Sequence, residues 1–274
     1  MTYFLRLGLV VPALAVYLFG FIAPLAMMSY ASFLQADPGP AADAVSFANF
    51  RAIIADRVYL AAFANTLMMS LSVAAIAALL AYPLCIYLSS IQGARRNLIL
   101  IAIIAPLLVS VVVRTLGWQL LLGPRGVIDQ LFGVQLLYTN LAVLIGLVHL
   151  FLAHMVLALL SVLGSIKKEI IHAARTLGCG EFRIFLRIIL PLSLPGLLAG
   201  FVITFGASAG ALITPLFLGG ARVNIASMEI YRTALVFFNW PLASALSVAL
   251  LGINFLVIFA IEWLLRKSAK GVAL

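Results

Sequence analysis

Apolar residues along this chain come in long, nearly unbroken runs, separated by short polar punctuation. They do not alternate with polar residues at period two. Six runs stand out: residues 7–33 (LGLVVPALAVYLFGFIAPLAMMSYASF), then about Leu60–Ile91, Asn97–Leu122, Leu141–Ile166, Arg187–Leu218 and Ala243–Leu265. About 20 apolar residues in a helix cross a hydrocarbon core about 30 Å thick. Within lipid, each backbone N–H and C=O must be satisfied inside its own segment or a closed barrel. The lengths and the missing alternation therefore predict an all-α membrane protein with six transmembrane helices. The first run follows a single basic residue, Arg6. It exceeds the about 7–15 residues of a signal-peptide core, so it reads as a retained helix.

Composition agrees: 65% of the 274 residues are apolar and 9% charged, against about 45–50% apolar in soluble domains. Six spans put both termini on one side. With the N-terminus inside, the inner segments hold Arg6, Arg95, Arg96, Lys167, Lys168, Arg175, Arg183, Arg187, Arg266, Lys267 and Lys270. The outer ones hold only Arg51, Arg57, Arg125, Arg222 and Arg232, together with Asp37, Asp43, Asp56 and Asp129. Basic short loops mark the cytoplasm, so both termini are expected there. The net charge of +9 is then a topology signal, and no nucleic-acid partner is expected. Trp118, Trp240 and Trp263 fall near span ends, as interfacial aromatics do. Cys85 and Cys179 fall toward the inner side, where a reducing compartment argues against a disulfide.

The loop between the fourth and fifth runs reads HAARTLGCGEFRIFLRIILPLSLPG from His172. Ile170, Ala173, Ala174 and Leu177 share one face at helical spacing, while Lys167, Lys168, His172 and Arg175 lie mostly off it. Gly178 follows the last apolar residue, where a left-handed helix stop favours glycine. A short amphipathic helix with a glycine turn is predicted, on the inner side. Such a helix suits a groove on another protein, and it equally suits a lipid surface, where its basic residues would meet anionic headgroups.

The same stretch resembles the cytoplasmic EAA loop of ABC importer permeases. That loop has E-A-A, a glycine four residues after the last alanine, then I-x-L-P. Here these are His172-Ala173-Ala174, Gly178 and Ile188-Ile189-Leu190-Pro191. The histidine departs from the family's glutamate, so an ionic contact made by that glutamate does not carry over. Asn65-Thr66-Leu67 at the start of the second run, VRTLGWQLLLGPRG from Val113, and TPLFLGG from Thr214 with Asn239-Trp240-Pro241 further on resemble the spermidine/putrescine branch. Relatives in that branch handle opines, small amines, aminophosphonates and ferric iron. The resemblance implies a type I ABC importer permease fold with a short coupling helix between helices 4 and 5. It also implies that Ile170, His172, Ala173, Ala174, Leu177 and Gly178 dock on a cytoplasmic ATPase. Residues 1–59 would form the first helix and a periplasmic loop, and 60–274 the core permease domain, with the EAA-type loop at about 165–190. The implied partners are two ATPase subunits, a second and similar permease in a heterodimer, a periplasmic solute-binding protein and the bilayer of the bacterial inner membrane.

ATP chemistry is expected elsewhere. A phosphate-cradling loop needs G-x-x-x-x-G-K-[ST], and none of Lys167, Lys168, Lys267 or Lys270 follows a glycine. No cofactor is expected on this chain; ATP and Mg belong to the partner ATPase, and this subunit is not expected to be an enzyme. His149 and His154 are five residues apart and point about 140° apart on a helix, which argues against a shared metal. Along the fifth run, Gly196, Gly200, Thr204 and Ser208 form one small-residue stripe, and Gly206, Gly210 and Thr214 another. Small stripes permit close helix approach, and they also leave room for a conduit. In the family this helix lines the path, so Thr204, Ser208 and Thr214 are candidate lining residues. Arg114, the one basic residue inside a span, is a further candidate, against the plainer expectation of a bond to nearby carbonyls.

Overall fold

In the computed structural model, the structure describes residues 11–12, 14–35 and 45–270, and only the backbone of Lys168 and of residues 264–270. Arg6, Asp37 and Asp43, used above for topology, lie outside the described residues. Among those described there are helices, turns and loops but no strand. In chain order the helices are α1 (Leu14–Ala31), α2 (Ala48–Ala55), α3 (Arg57–Ser90), α4 (Ala94–Leu108), α5 (Val111–Leu122), α6 (Val127–Phe132) and α7 (Asn140–Leu163). They continue as α8 (Lys168–Thr176), α9 (Glu181–Ala209), α10 (Ile213–Leu218), α11 (Ala226–Leu235) and α12 (Trp240–Lys270). Five helices are long and apolar enough to cross a membrane, or six if the bent pair beginning with α4 counts as one span.

The bent pair corrects the expectation of a continuous third helix. Its halves diverge by 100° at Val109–Ser110, both of which have extended ψ values. The cause is local. Pro106 lacks the N–H that would bond one turn back, and Val109, Val111, Val112 and Val113 are β-branched and poor helix formers. The fifth run is also interrupted. α9 ends at Ala209, with Gly210 as its cap, so Thr214 sits on a separate short helix and the Gly206–Gly210–Thr214 stripe is not one helical face.

Contacts divide the chain into two compact units. One is built from the described part of Met1–Phe63 with Ala226–Ile253. Ile53, Phe63, Ala226, Ala245, Leu246 and Leu250 form its core. Phe33, Phe47 and Phe50 pack ring against ring, and the Asn49 side chain donates to the Ser32 and Leu34 carbonyls at 2.9 and 2.7 Å. Glu229, buried on α11, pairs with Arg232 at 3.1 Å. No residue of α1 in its apolar window is buried.

The other unit comprises Ala64–Ile225 and the described part of Asn254–Leu274. It is organised around α7, an almost wholly apolar helix capped by the Thr139 hydroxyl, which accepts from the Ala142 N–H at 3.2 Å. Tyr82, Cys85 and Leu88 of α3 meet Met155, Val156 and Leu159 of α7, with Phe185 and Ile189 of α9 against them. The Tyr82 and Ser193 hydroxyls are hydrogen bonded. α9 lies against α7 at bare backbone. A Cβ on Gly196 would reach Val162 at 2.8 Å, and one on Gly200 would reach the Met155 sulfur at 2.6 Å. α10 closes on the other end of α7, where a Cβ on Gly146 would meet Leu218 and Thr214 at 2.6 and 2.8 Å.

Candidate functional site

α8 stands between the two long helices α7 and α9. Its N-terminal turn carries Glu169 and its last turn Arg175, each charge favouring the helix dipole at its end. The stop has a full pair of capping bonds. Cys179 N–H donates to the Ala174 carbonyl at 3.0 Å, and Gly178 N–H to that of Arg175 at 2.9 Å. Gly178 has φ +80, the left-handed conformation that such a 6→1, 5→2 stop requires and glycine adopts without strain. Across the turn, Arg175 Nε and Nη2 donate to the two carboxylate oxygens of Glu181 at 2.6 and 3.0 Å. This bidentate clasp joins α8 to the first residue of α9. Its hydrogen bonds, and then the carboxylate's charge, hold the Arg175 guanidinium above its ordinary pKa. Both partners are exposed, so the clasp orients the turn more than it stabilises the fold.

The predicted face of α8 divides in two. Ile170 and Ala173 are exposed, and Leu177 is 84% exposed. These three lie within about 60° of one another at 100° per residue and form an exposed apolar stripe, uncovered among the described residues. Ala174 is turned inward and is 8% exposed. Phe182, 75% exposed just beyond the Gly178 turn, adds a large apolar side chain that the sequence pattern missed. Flanked by Glu181 and Arg183, it stands outside the long apolar runs. On the opposite side of α8, Ile171, His172 and Arg175 line a cavity of about 590 Å³ shared with the ends of α3, α4, α7 and α9.

The candidate path residues are placed differently. Thr204 is fully buried and its hydroxyl has no hydrogen-bond partner among the described residues. Ser208 is buried and donates to the Phe205 carbonyl at 3.0 Å. Thr214 is buried, with its hydroxyl 3.2 Å from that of Thr115. Thr204 and Ser208 thus continue the buried Gly196–Gly200 face of α9, and Thr214 belongs with α5. The face of α9 left open in this chain carries Leu192, Pro195, Ala199, Ile203 and Ala207, with Gly210 just past its end.

Arg114 stands one turn into α5, beyond the break. Its Nε and Nη1 are buried without a hydrogen-bond partner among the described residues, so the expected bond to carbonyls is not made. Its charge lies within electrostatic reach of His149 and His154 on the middle of α7. Trp118, one turn further along α5, donates from its indole N–H to His149 Nδ1 at 3.2 Å. The i,i+4 spacing of Arg114 and Trp118 was visible in the sequence; that α7 would bring two imidazoles beside them was not.

Comparisons with known proteins agree with this arrangement. A family model described as "Binding-protein-dependent transport system inner membrane component" matches residues 67–270. The spermidine/putrescine transport system permease protein PotB of Haemophilus influenzae is 33% identical over 203 residues, 71% of each chain. PotC of Escherichia coli, from a system of the same name, is 30% identical over 145 residues, 53% of this chain and 54% of its own. Among solved structures, a bacterial alginate ABC transporter in complex with an alginate pentasaccharide-bound periplasmic protein superposes with a TM-score of 0.77 at 18% identity, over 97% of this chain and 96% of that one. At that identity the superposition speaks for the fold.

Proposed function

The chain belongs to the family of binding-protein-dependent transport system inner membrane components and, on that premise, we propose that it carries a polyamine or a related small amine or opine. It is a multi-pass permease subunit of an ABC importer, and ATP hydrolysis resides on separate subunits. The observation that carries the reading is the match over residues 67–270 on a chain whose loop helix presents an uncovered apolar stripe.

In the proposed mechanism, two ATPase subunits lie beneath the permease. One receives Ile170, Ala173 and Leu177 in a groove, while Ala174 and Gly178 hold the helix in shape and His172 faces the cavity on the other side of α8. ATP binding closes the ATPases and moves α8. The Gly178 turn and the Arg175–Glu181 clasp pass that motion to α9, which packs on α7 without intervening side chains at Gly196 and Gly200. The path then opens outward to a periplasmic binding protein, and hydrolysis resets it. The open face of α9 meets a second, similar permease, as the likeness to both PotB and PotC suggests. Thr204, Ser208 and Thr214 back the path wall, and Arg114 faces it. Residues 60–274 act as the core permease domain. Between Arg57 and Ile225 the only carboxylates are Asp129, Glu169 and Glu181, so those that meet a polycation come from the partner permease or the binding protein.

Two measurements follow. Uptake of labelled putrescine by the complete importer, competed with polyamines, opines, aminophosphonates and ferric chelates, should be blocked by polyamines or opines. Competition by ferric chelates alone would overturn the cargo. The inward placement of α8 and of both termini is tested with native cysteines, since Cys179 is partly exposed and Cys85 fully buried. A membrane-impermeant maleimide should label Cys179 in inverted vesicles and not in right-side-out ones. The reverse pattern would invert the topology.

A further inference from the structure

We infer that the cavity behind α8 binds the headgroup of an anionic phospholipid, with its acyl chain along the apolar lining residues. The cavity, about 590 Å³, falls within the about 300–1,000 Å³ of small-ligand sites. Its lining is mixed: Ile86, Leu160 and Ile189 are apolar, Gln92, Arg96 and His172 are polar or basic, and Arg175 is present with Glu181. The cations around it are not equivalent. Arg175 is clasped by Glu181, and Arg95 stacks over the Tyr87 ring at 5.7 Å. Arg96, half-buried, has no ion-pair partner among the described residues. A partly desolvated guanidinium without a carboxylate favours an anion, and its planar fork matches phosphate.

The departure at position 172 sharpens the point. A glutamate there, as in the resembled loop, would offset the charge of Arg96; His172 supplies no negative charge. An amphipathic ligand is selected because the same cavity combines hydrogen-bond donors with apolar lining residues, at helix ends that also carry Arg95 and Lys167. Basic pockets between helix ends on the cytoplasmic side suit anionic lipid headgroups. The uncovered stripe of Ile170, Ala173 and Leu177 lies on the opposite side of α8, so a docked ATPase and a bound lipid do not compete. A lipid seated here would set how far α8 stands from the spans. The inference rests on the proposed orientation, because anionic lipid at this depth is that of the cytoplasmic leaflet.

The test is lipid retention by the complete importer, reconstituted in phosphatidylcholine nanodiscs with and without phosphatidylglycerol, extracted, and examined by native mass spectrometry. The wild type should keep phosphatidylglycerol in preference to phosphatidylcholine. Arg96→Gln should lower that retention roughly tenfold, as loss of a charged hydrogen bond does, and Arg96→Lys should restore part of it. His172→Glu, on the exposed helix, gives a second variant, with the same loss expected. Equal retention in all four proteins would overturn the site. So would a loss of ATPase subunits from Arg96→Gln with lipid retention unchanged, which would assign Arg96 to a protein carboxylate. Labelling of Cys179 from outside, with lipid retention still dependent on Arg96, would leave the site standing and remove the orientation instead.

Discussion

Ala174→Pro should abolish ATP-driven uptake while the spans remain in the membrane. Ala174 sits inside a nine-residue helix, and its carbonyl receives the Cys179 N–H that closes the glycine stop. Proline there removes the N–H that bonds one turn back and clashes with the preceding turn, at a cost of about 3 kcal/mol. A helix this short has little stability of its own to absorb such a loss. The stripe of Ile170, Ala173 and Leu177 would then no longer be held as one face. Where that cost falls on the docked, coupling-competent state, uptake drops roughly a hundredfold, at about 1.4 kcal/mol per tenfold. α8 lies between the spans, so insertion should be unaffected, and Ala174→Ser should retain most of the activity. Uptake and membrane content, measured on the same vesicles, check both halves. Wild-type uptake by Ala174→Pro would remove the docking role.

Gly196→Val should leave little folded chain. A Cβ at Gly196 would lie 2.8 Å from the Val162 Cβ and 3.0 Å from the Ala158 carbonyl oxygen. Neither neighbour yields easily, one being β-branched and stiff and the other backbone. Overpacking of a fitted interface costs about 1–3 kcal/mol, and valine adds two further methyl groups to the clash. Gly200→Ala should be milder, because the atom in the way is the Met155 sulfur, near the end of a flexible side chain. Gly206→Ala should cost nothing in stability, since a Cβ there meets nothing within 4 Å and alanine is the better helix former. Thermal unfolding in detergent should therefore rank Gly196→Val far below Gly200→Ala, and Gly200→Ala below Gly206→Ala. Equal melting of all three would show that α9 does not pack on α7 in this way.

Much of the fold was legible because lipid imposes a coarse rule that apolar run length satisfies. α7 and α3 follow their runs closely, and the Gly178 stop follows from one residue at one position. The interruptions were less legible. The bend at Val109–Ser110 depends on Pro106 and a valine cluster inside a stretch that remains apolar throughout, so hydropathy alone passes over it. The small-residue stripes left two readings, packing and conduit. In this chain Gly196 and Gly200 pack on α7, and the buried Thr204 and Ser208 lie along the same face, a choice only a neighbouring helix could decide. The cavity beside His172 was invisible for a similar reason: Arg96 and His172 are far apart in sequence and line one cavity only once α3, α4, α7 and α8 are assembled.

Uptake into proteoliposomes decides whether this chain is a conduit driven through α8 by a separate ATPase. They would hold this chain, its partner permease, the ATPases and the binding protein, with ATP supplied on the side that exposes α8. Substrate should accumulate against its gradient, with a requirement for ATP, and this should be lost when this chain is replaced by its Ala174→Pro variant. Accumulation at the same rate without ATP, or with α8 disrupted, would rule out a conduit driven through α8.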